Sequence, residues 1–315
     1  MKERKELPIL YLIAPCYNEE EVLPKTWHLF TGKLEELIKK KKISEKSRTL
    51  FVNDGSSDST WQIIQDLSKE NKYILGASLS RNRGHQNALL AGLMEAKDRC
   101  DVTVTLDCDG QHDINAVDEM LEKYEEGYEV VYGVRNERRG DSAFKKIFSE
   151  AYYRIINLLG GNIIVNHVDY RLVSSRVLKE FSNYHEVHVF LRGLFPMVGF
   201  QSCTVNYEQF DRVAGSSHYS LKKMLTLAID GITSLSIEPI RMITGIGVIV
   251  TLISFTMMIV NLIRGISLWT AVCLICTLIG ILLISLGIVG EYVGKTYMET
   301  KERPRFIIME RTYEK

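Results

Sequence analysis

The run Thr105-Leu106-Asp107-Cys108-Asp109-Gly110-Gln111-His112 sets two carboxylates and an amide directly behind a short apolar stretch. If the strand continues, alternation points Asp107 and Asp109 to the same side. Hard oxygen donors of this kind suit Mg2+ or Mn2+, ions that bridge one or two carboxylates to a diphosphate. Asp107, Asp109 and Gln111 are therefore the candidate metal ligands. An isolated Asp-x-Asp is also common in plain turns, so the neighbouring acidic loops decide the reading.

Two such loops follow other apolar runs. Ala14-Pro15-Cys16-Tyr17-Asn18-Glu19-Glu20 ends a strand and opens an acidic helix start, where carboxylates also serve simply as partners of the helix dipole. Val52-Asn53-Asp54-Gly55-Ser56-Ser57-Asp58-Ser59-Thr60 ends another. There Asp54 is placed to accept hydrogen bonds from a base N–H or ribose hydroxyls, and Asp58 reads as an N-cap; the segment also reads as a turn plus cap. His85 follows Arg83-Gly84 at a helix start and either touches a diphosphate or caps and packs. His112 stands either near the metal or as a neutral helix-start residue. No GxGxxG follows the first strand, and no GxxxxGK followed by Ser or Thr occurs, so dinucleotide and P-loop sites lose support.

The elements that must carry these loops alternate. Ile9–Ala14, Thr49–Asn53, Leu75–Ser80, Val102–Leu106 and Val130–Val134 read as strands, and Glu19–Lys41, Ser59–Asn71, His85–Arg99 and Ile114–Gly127 as helices. Near-continuous apolar strands alternating with helices imply an α/β fold with a mostly parallel sheet covered on both faces. Ligands of such sheets sit at the carboxyl ends of the strands. Four polar clusters lie there: Pro15–Glu20, Asp54–Asp58, Asp107–His112 and Arg135–Arg139. Residues 142–200 read as helical with a polar interruption at Asn166–Arg171, and Cys203–Tyr207 as a β-like run before a basic loop, Asp211–Tyr219.

The second half changes solvent. The chain has 315 residues, with 39 Lys and Arg against 39 Asp and Glu. That balance argues against a nucleic-acid binder working by phosphate neutralisation. Yet from Met242 to Gly290 the only charged residue is Arg264. Met242–Ile263 and Leu268–Val289 each supply about 22 residues, enough for a hydrocarbon core of ~30 Å, and the short turn between them predicts a hairpin. Lys222, Lys223 and Arg241 before the pair and Lys295, Lys301, Arg303 and Arg305 after it place both termini on the cytosolic side. Ser220–Ile237 is amphipathic, either a surface-lying membrane helix or an ordinary packed one. The domains expected are 1–215 (globular), 216–240 (juxtamembrane), 241–290 (two spans) and 291–315 (cytosolic tail). The apolar run near the N-terminus is short and meets Asn18-Glu19-Glu20, so it reads as a strand rather than a signal peptide. The six cysteines show no disulfide framework, and Cys273-x-x-Cys276 lies inside an apolar run as packing residues rather than redox or metal chemistry.

PCYNEE, VNDGSSDST, RNRGHQNALLAG and DCDGQH, in this order and spacing, resemble the inverting family 2 glycosyltransferases of GT-A fold. YGVRNERRGDS, VDYRLVSS, RGLFPMVGF, RVAGSSHYS and GEYVGKTYMETKERP narrow the resemblance to polyprenyl-phosphate glycosyltransferases, over nearly the whole chain. The resemblance implies that Pro15, Tyr17 and Glu19 surround the nucleoside, that Asp54 and Asp107 join them, and that Asp109 and Gln111 stand closest to the metal. It further implies that Arg135 gathers phosphates, and that Lys145, Ser149 and Arg212 contact an acceptor phosphate. His218 stands in the mobile loop where the family usually has lysine, so protonation there would add acceptor affinity. Asp169 in Val168-Asp169-Tyr170-Arg171 is offered by analogy as the catalytic base.

The substrates implied are a nucleotide sugar, UDP-glucose or UDP-N-acetylglucosamine above others, and undecaprenyl phosphate. The product would serve cell-envelope glycan modification, made by a multi-pass cell-membrane enzyme with relatives that self-associate. A phosphate nucleophile is already ionised near neutrality, so the chemistry favours Asp169 as an orienting group, with a salt bridge to Arg171 or Arg176 as the plain structural alternative. Two competing functions are a processive polysaccharide synthase and a non-catalytic nucleotide-sugar-binding subunit. The first usually carries QxxRW, to which Phe190-Leu191-Arg192-Gly193-Leu194 is the nearest feature; the second is disfavoured by the intact acidic cluster and basic loop.

Overall fold

The computed structural model describes residues 6–136, 167–186, 189–210, 249, 256 and 268–314. In strand β1 (Leu10–Cys16), Leu10, Leu12, Ala14 and Cys16 enter one apolar cluster and Tyr11 and Ile13 the other. That period of two is what a strand buried on both faces requires. The first cluster is closed by helices α1 (Leu23–Lys39), α2 (Thr60–Glu70) and α4 (Ala116–Glu125), the second by α3 (His85–Ala96), α5 (Ser175–Phe181) and α6 (Leu191–Met197). Each fully buried Leu, Ile, Val or Phe contributes about 1.5–3 kcal/mol.

The remaining strands are β2 (Arg48–Asn53), β3 (Ile74–Leu79), β4 (Val102–Thr105), β5 (Val130–Arg135), β6 (His167–Ser174), β7 (Ser202–Tyr207) and β8 (Ile308–Arg311), in the order β7-β5-β6-β4-β1-β2-β3-β8. The sheet is mixed, with six strands running one way, in keeping with a mostly parallel sheet, and β6 and β8 reversed. β1–β2, β2–β3, β1–β4 and β5–β7 pair in parallel, whereas β4–β6, β5–β6 and β3–β8 are antiparallel. The five expected strands are present. The helical expectation over 142–200 is corrected where residues are described: its polar interruption is β6, slotted between β4 and β5. The segment lacks an apolar strand pattern because it buries Asp169 and Arg171 as a pair.

This topology decides which ends meet. The carboxyl ends of β1, β2, β4, β5 and β7 share one edge of the sheet, and the reversed β6 brings its first residues to that same edge.

The residues after the last helix, α7 (Leu268–Thr300), return to the sheet. β8 pairs with β3, Thr312 N donates to Gly76 O at 2.9 Å, and the Arg311 guanidinium meets Glu95 at 2.7 Å. Counted over the described side chains, no helix is long and apolar enough to cross a membrane, so the expected hairpin is not confirmed. The first expected span and the amphipathic segment 220–237 lie outside the described residues.

Candidate active site

The first two loops lock together through polar side chains. Asn18, at φ 53°, donates its N–H to Ser56 Oγ at 3.0 Å and accepts from Ser57 N at 2.9 Å. Glu19 N donates to Thr60 Oγ1 at 2.9 Å, which holds 19–22 as a turn and delays α1 to Leu23. Asp58 Oδ1 accepts from Thr60 N at 3.0 Å, an Asx turn one residue before the helix cap, which is Ser59 rather than the expected Asp58. Pro15 is buried inside β1, Glu19 is half-buried, and Tyr17 leaves 42% of its surface open above the loop.

Asp54 directly follows β2. Its carboxylate is buried and accepts from Arg83 N at 2.7 Å and Gly84 N at 2.9 Å. Burial pushes its pKa up, more than these two bonds lower it. With these two bonds Asp54 shapes the turn that presents Arg83 through Gln86. That turn needs Gly84 at φ 86° and passes directly over Gly55, where a Cβ would lie 2.3 Å from the Arg81 carbonyl carbon.

The strand alternation expected for Asp107 and Asp109 does not operate, because β4 ends at Thr105 and a turn follows. The Asp107 side chain is 38% exposed, whereas Asp109 is buried and its Oδ1 accepts from Gln111 N at 3.0 Å. Gln111 pairs with the segment after β7, its carbonyl accepting from Phe210 N at 2.9 Å. His112 is buried, stacks on Tyr170 with ring centroids 4.9 Å apart, and accepts Asp107 N at Nδ1 over 3.1 Å. An accepting Nδ1 leaves the proton on Nε2, so His112 is a neutral prop for the Asp107 loop. Among the described residues, no cluster of three or more His, Cys, Asp or Glu side chains is placed to hold a metal ion by itself. The open Asp107 carboxylate, with Asp109 on the same turn, fits instead the pattern in which one or two carboxylates hold the ion and substrate phosphates complete its shell.

Asp169, at the start of β6, is the most heavily braced charge of the site. Its Oδ2 accepts from Gln86 Nε2 at 2.8 Å and Arg192 Nη2 at 3.0 Å, and its Oδ1 pairs with Arg171. Burial alone would raise the Asp169 pKa; Arg192 and Arg171, helped by His85, outweigh it and hold the carboxyl well below the usual range. Such a group keeps its charge and is a poor proton acceptor, which favours orientation over base catalysis. Arg171 is the expected partner, while Arg176 instead reaches toward Glu129 at 3.9 Å. His85 stands between the two carboxylates, with Nε2 3.7 Å from both Asp107 Oδ1 and Asp169 Oδ2.

Gln86 and Arg192 were not among the expected site residues, although RNRGHQNALLAG and FLRGL contain them. Gln86 also accepts Leu191 N at 3.1 Å through Oε1, so one amide ties α3, β6 and α6 together. Arg135 closes β5 and donates to Gln209 Oε1 at 3.0 Å. The structure thus gathers Pro15, Glu19, Asp54, Asp107, Asp109, Gln111, Arg135 and Asp169 at one sheet edge. Lys145, Ser149, Arg212 and His218 lie outside the described residues. Cys16, Cys100, Cys108 and Cys203 are free thiols.

A mixed sheet with acidic and arginine side chains along the carboxyl ends of its strands defines an α/β protein whose ligand site lies outside that edge. The chain belongs to glycosyl transferase family 2, whose model matches residues 11–182. An uncharacterized glycosyltransferase, YkoT, of Bacillus subtilis strain 168 is 42% identical, over 97% of this chain and 92% of its own. The bactoprenol glucosyl transferase of Shigella phage SfX is 34% identical, over 95% of this chain and 98% of its own. Among solved structures, glucosyl-3-phosphoglycerate synthase from Mycobacterium tuberculosis in complex with phosphoglyceric acid overlaps with a TM-score of 0.46 at 15% identity, covering 72% of this chain and 79% of that one.

Proposed function

We propose that this glycosyltransferase moves a sugar, with inversion, from a nucleotide sugar to undecaprenyl phosphate at the cytosolic face of the cell membrane. UDP-glucose and UDP-N-acetylglucosamine are the donors proposed. The observation that carries the acceptor is the likeness to the phage bactoprenol glucosyl transferase across 95% of the chain. The membrane reading rests on Leu268–Gly290, a stretch of α7 without a charged residue.

The site's chemistry agrees with this reaction. Asp107, with Asp109 and Gln111 on the same turn, would hold Mg2+ or Mn2+, which when bound supplies a Lewis acid for the departing nucleoside diphosphate. Arg135 at the same edge offsets the repulsion between two anionic substrates. The phosphate nucleophile needs little help from a base, which matches a site whose buried carboxylate is held ionised by arginines. Asp169 instead fixes the direction of Arg192 and Gln86.

The test uses membranes carrying the full chain, undecaprenyl phosphate and a panel of labelled nucleotide sugars. Lipid-linked sugar forms with one UDP-sugar, disappears with EDTA and returns with Mg2+ or Mn2+. Undiminished product in EDTA, or after Asp107→Ala with Asp109→Ala, would sink the metal role. Product growing to polymer length would favour a processive synthase instead.

A further inference from the structure

Tyr207 ends β7 at the sheet edge that carries the site. Its ring is fixed on two sides, edge-on to His112 at 5.4 Å and to Tyr170 at 5.0 Å. Its Cα lies in register with Arg135 across the β5–β7 ladder, and its carbonyl accepts from Asn136 N at 3.0 Å. The residue is 2% exposed, yet its hydroxyl finds no hydrogen-bond partner among the described residues. A buried hydroxyl left unpaired is costly, and native interiors rarely keep one without a ligand, ion or water to satisfy it.

The surroundings say what would satisfy it. Burial pushes the phenol's pKa up, and the charges that act on it are Asp107, Arg135, Arg192 and Asp169, all members of the site. A phenol can donate as well as accept, and beside the arginines of this edge the partner it suits is an anionic acceptor that they would also hold. Asp169 is already matched by Arg171 and Arg192, and Arg135 sits opposite Tyr207 in the ladder. An anionic oxygen fits a donor placed beside these guanidiniums better than a sugar hydroxyl does.

We propose that Tyr207 is a substrate-contacting residue whose hydroxyl donates to a phosphate oxygen, bound between it and Arg135. This rests on the transfer reaction proposed above. Two phosphates are available there, the diphosphate of the nucleotide sugar and the monophosphate of the lipid.

The experiment compares full-length wild type with Tyr207→Phe, which keeps the ring and removes only the hydroxyl. Initial rates are measured with each substrate varied in turn, alongside the thermal midpoint of each protein. The expected result is a loss of about ten- to a hundredfold in kcat/KM, with a midpoint unchanged or raised, because an unpaired polar atom has been deleted. A KM rise confined to the nucleotide sugar assigns the contact to the diphosphate; one confined to undecaprenyl phosphate assigns it to the acceptor. Rates within about twofold of wild type for both substrates overturn the inference, leaving a hydroxyl satisfied by an internal water. So does a loss of activity matched by a lower midpoint, which marks a packing role. If wild type transfers no sugar at all, the transfer reaction falls, and UDP and inorganic pyrophosphate binding decide on Tyr207. Weaker binding by Tyr207→Phe keeps the phosphate contact, and equal binding removes it.

Discussion

Arg192 Nη2 meets Asp169 Oδ2 at 3.0 Å, although the two residues are 23 positions apart and sit on different elements, α6 and β6. The same carboxylate is shared with Arg171, which is 1% exposed, whereas Arg192 keeps 28% of its side chain open. The two guanidiniums therefore have different duties: one neutralises the carboxylate from inside, the other reaches from it toward the ligand edge.

Substitution separates those duties. Arg171→Met leaves part of a buried charge uncompensated and lowers stability by about 3–5 kcal/mol, read by chemical denaturation of the full chain. Arg192→Ala costs less stability because water reaches the site, but it lowers kcat/KM by about tenfold or more, as expected for a charged hydrogen bond aimed at an anion. A stability loss for Arg192→Ala as large as that for Arg171→Met would contradict this division.

Acid should find the Asp169 network before neutral pH does. The folded pKa of Asp169 lies below the unfolded value of about 3.9. Its ionised form therefore contributes stability at every pH above about 3.9 and loses it as the native carboxyl titrates in stronger acid. The difference in thermal midpoint between wild type and Asp169→Asn is expected to be flat from about pH 5 upward and to shrink below about pH 4. Asp169→Asn also loses most turnover, and near-normal activity would leave only a structural ion pair.

The turn over Asp54 offers a graded series. Asp54→Asn replaces one of two accepting oxygens with a donor facing Arg83 N or Gly84 N, a cost of about 1–3 kcal/mol. Gly84→Ala meets no neighbouring atom, so its cost is backbone strain alone, about 1–3 kcal/mol. Gly55→Ala adds a collision with the Arg81–Asn82 backbone and is expected to be the worst of the three for stability and for nucleotide-sugar KM. Denaturation midpoints and steady-state kinetics check the ranking.

Removing residues from Ile307 onward would uncover the β3 edge. Ala77, Ser78 and Leu79 would lose their ladder partners, Trp61 Nε1 its bond to Glu310 at 2.8 Å, and Glu95 both Arg311 and Tyr313. An unpaired edge strand recruits other chains. The truncated protein is expected to unfold at lower temperature and to aggregate, seen by light scattering. Unchanged behaviour would mean that β8 is dispensable.

Much of the fold was legible along the chain because strands buried on both faces leave a continuous apolar trace, as β1 to β5 do. β6 left no such trace: Asp169 and Arg171 interrupt it, and only their mutual pairing makes them tolerable inside. β8 reads along the sequence as part of a tail because its two outward residues, Met309 and Glu310, give a four-residue strand no pattern to stand on. At the site, the polar runs reveal the loops, but alternation puts Asp107 and Asp109 on the same side and the family resemblance sets Asp109 closest to the metal. The turn after Thr105 exposes one and buries the other.

Residue order alone determined that an acidic loop would follow each of three parallel strands and that the chain is a family 2 glycosyltransferase. Those features are local, carried by the identity and spacing of near neighbours. Tertiary structure alone decided which charges meet: Asp169 is held from positions 86, 171 and 192, and Asp54 is taken by backbone donors of Arg83 and Gly84. A charge's partners and its exposure depend on where distant segments land when β6 runs against its neighbours, and spacing along the chain carries no measure of that.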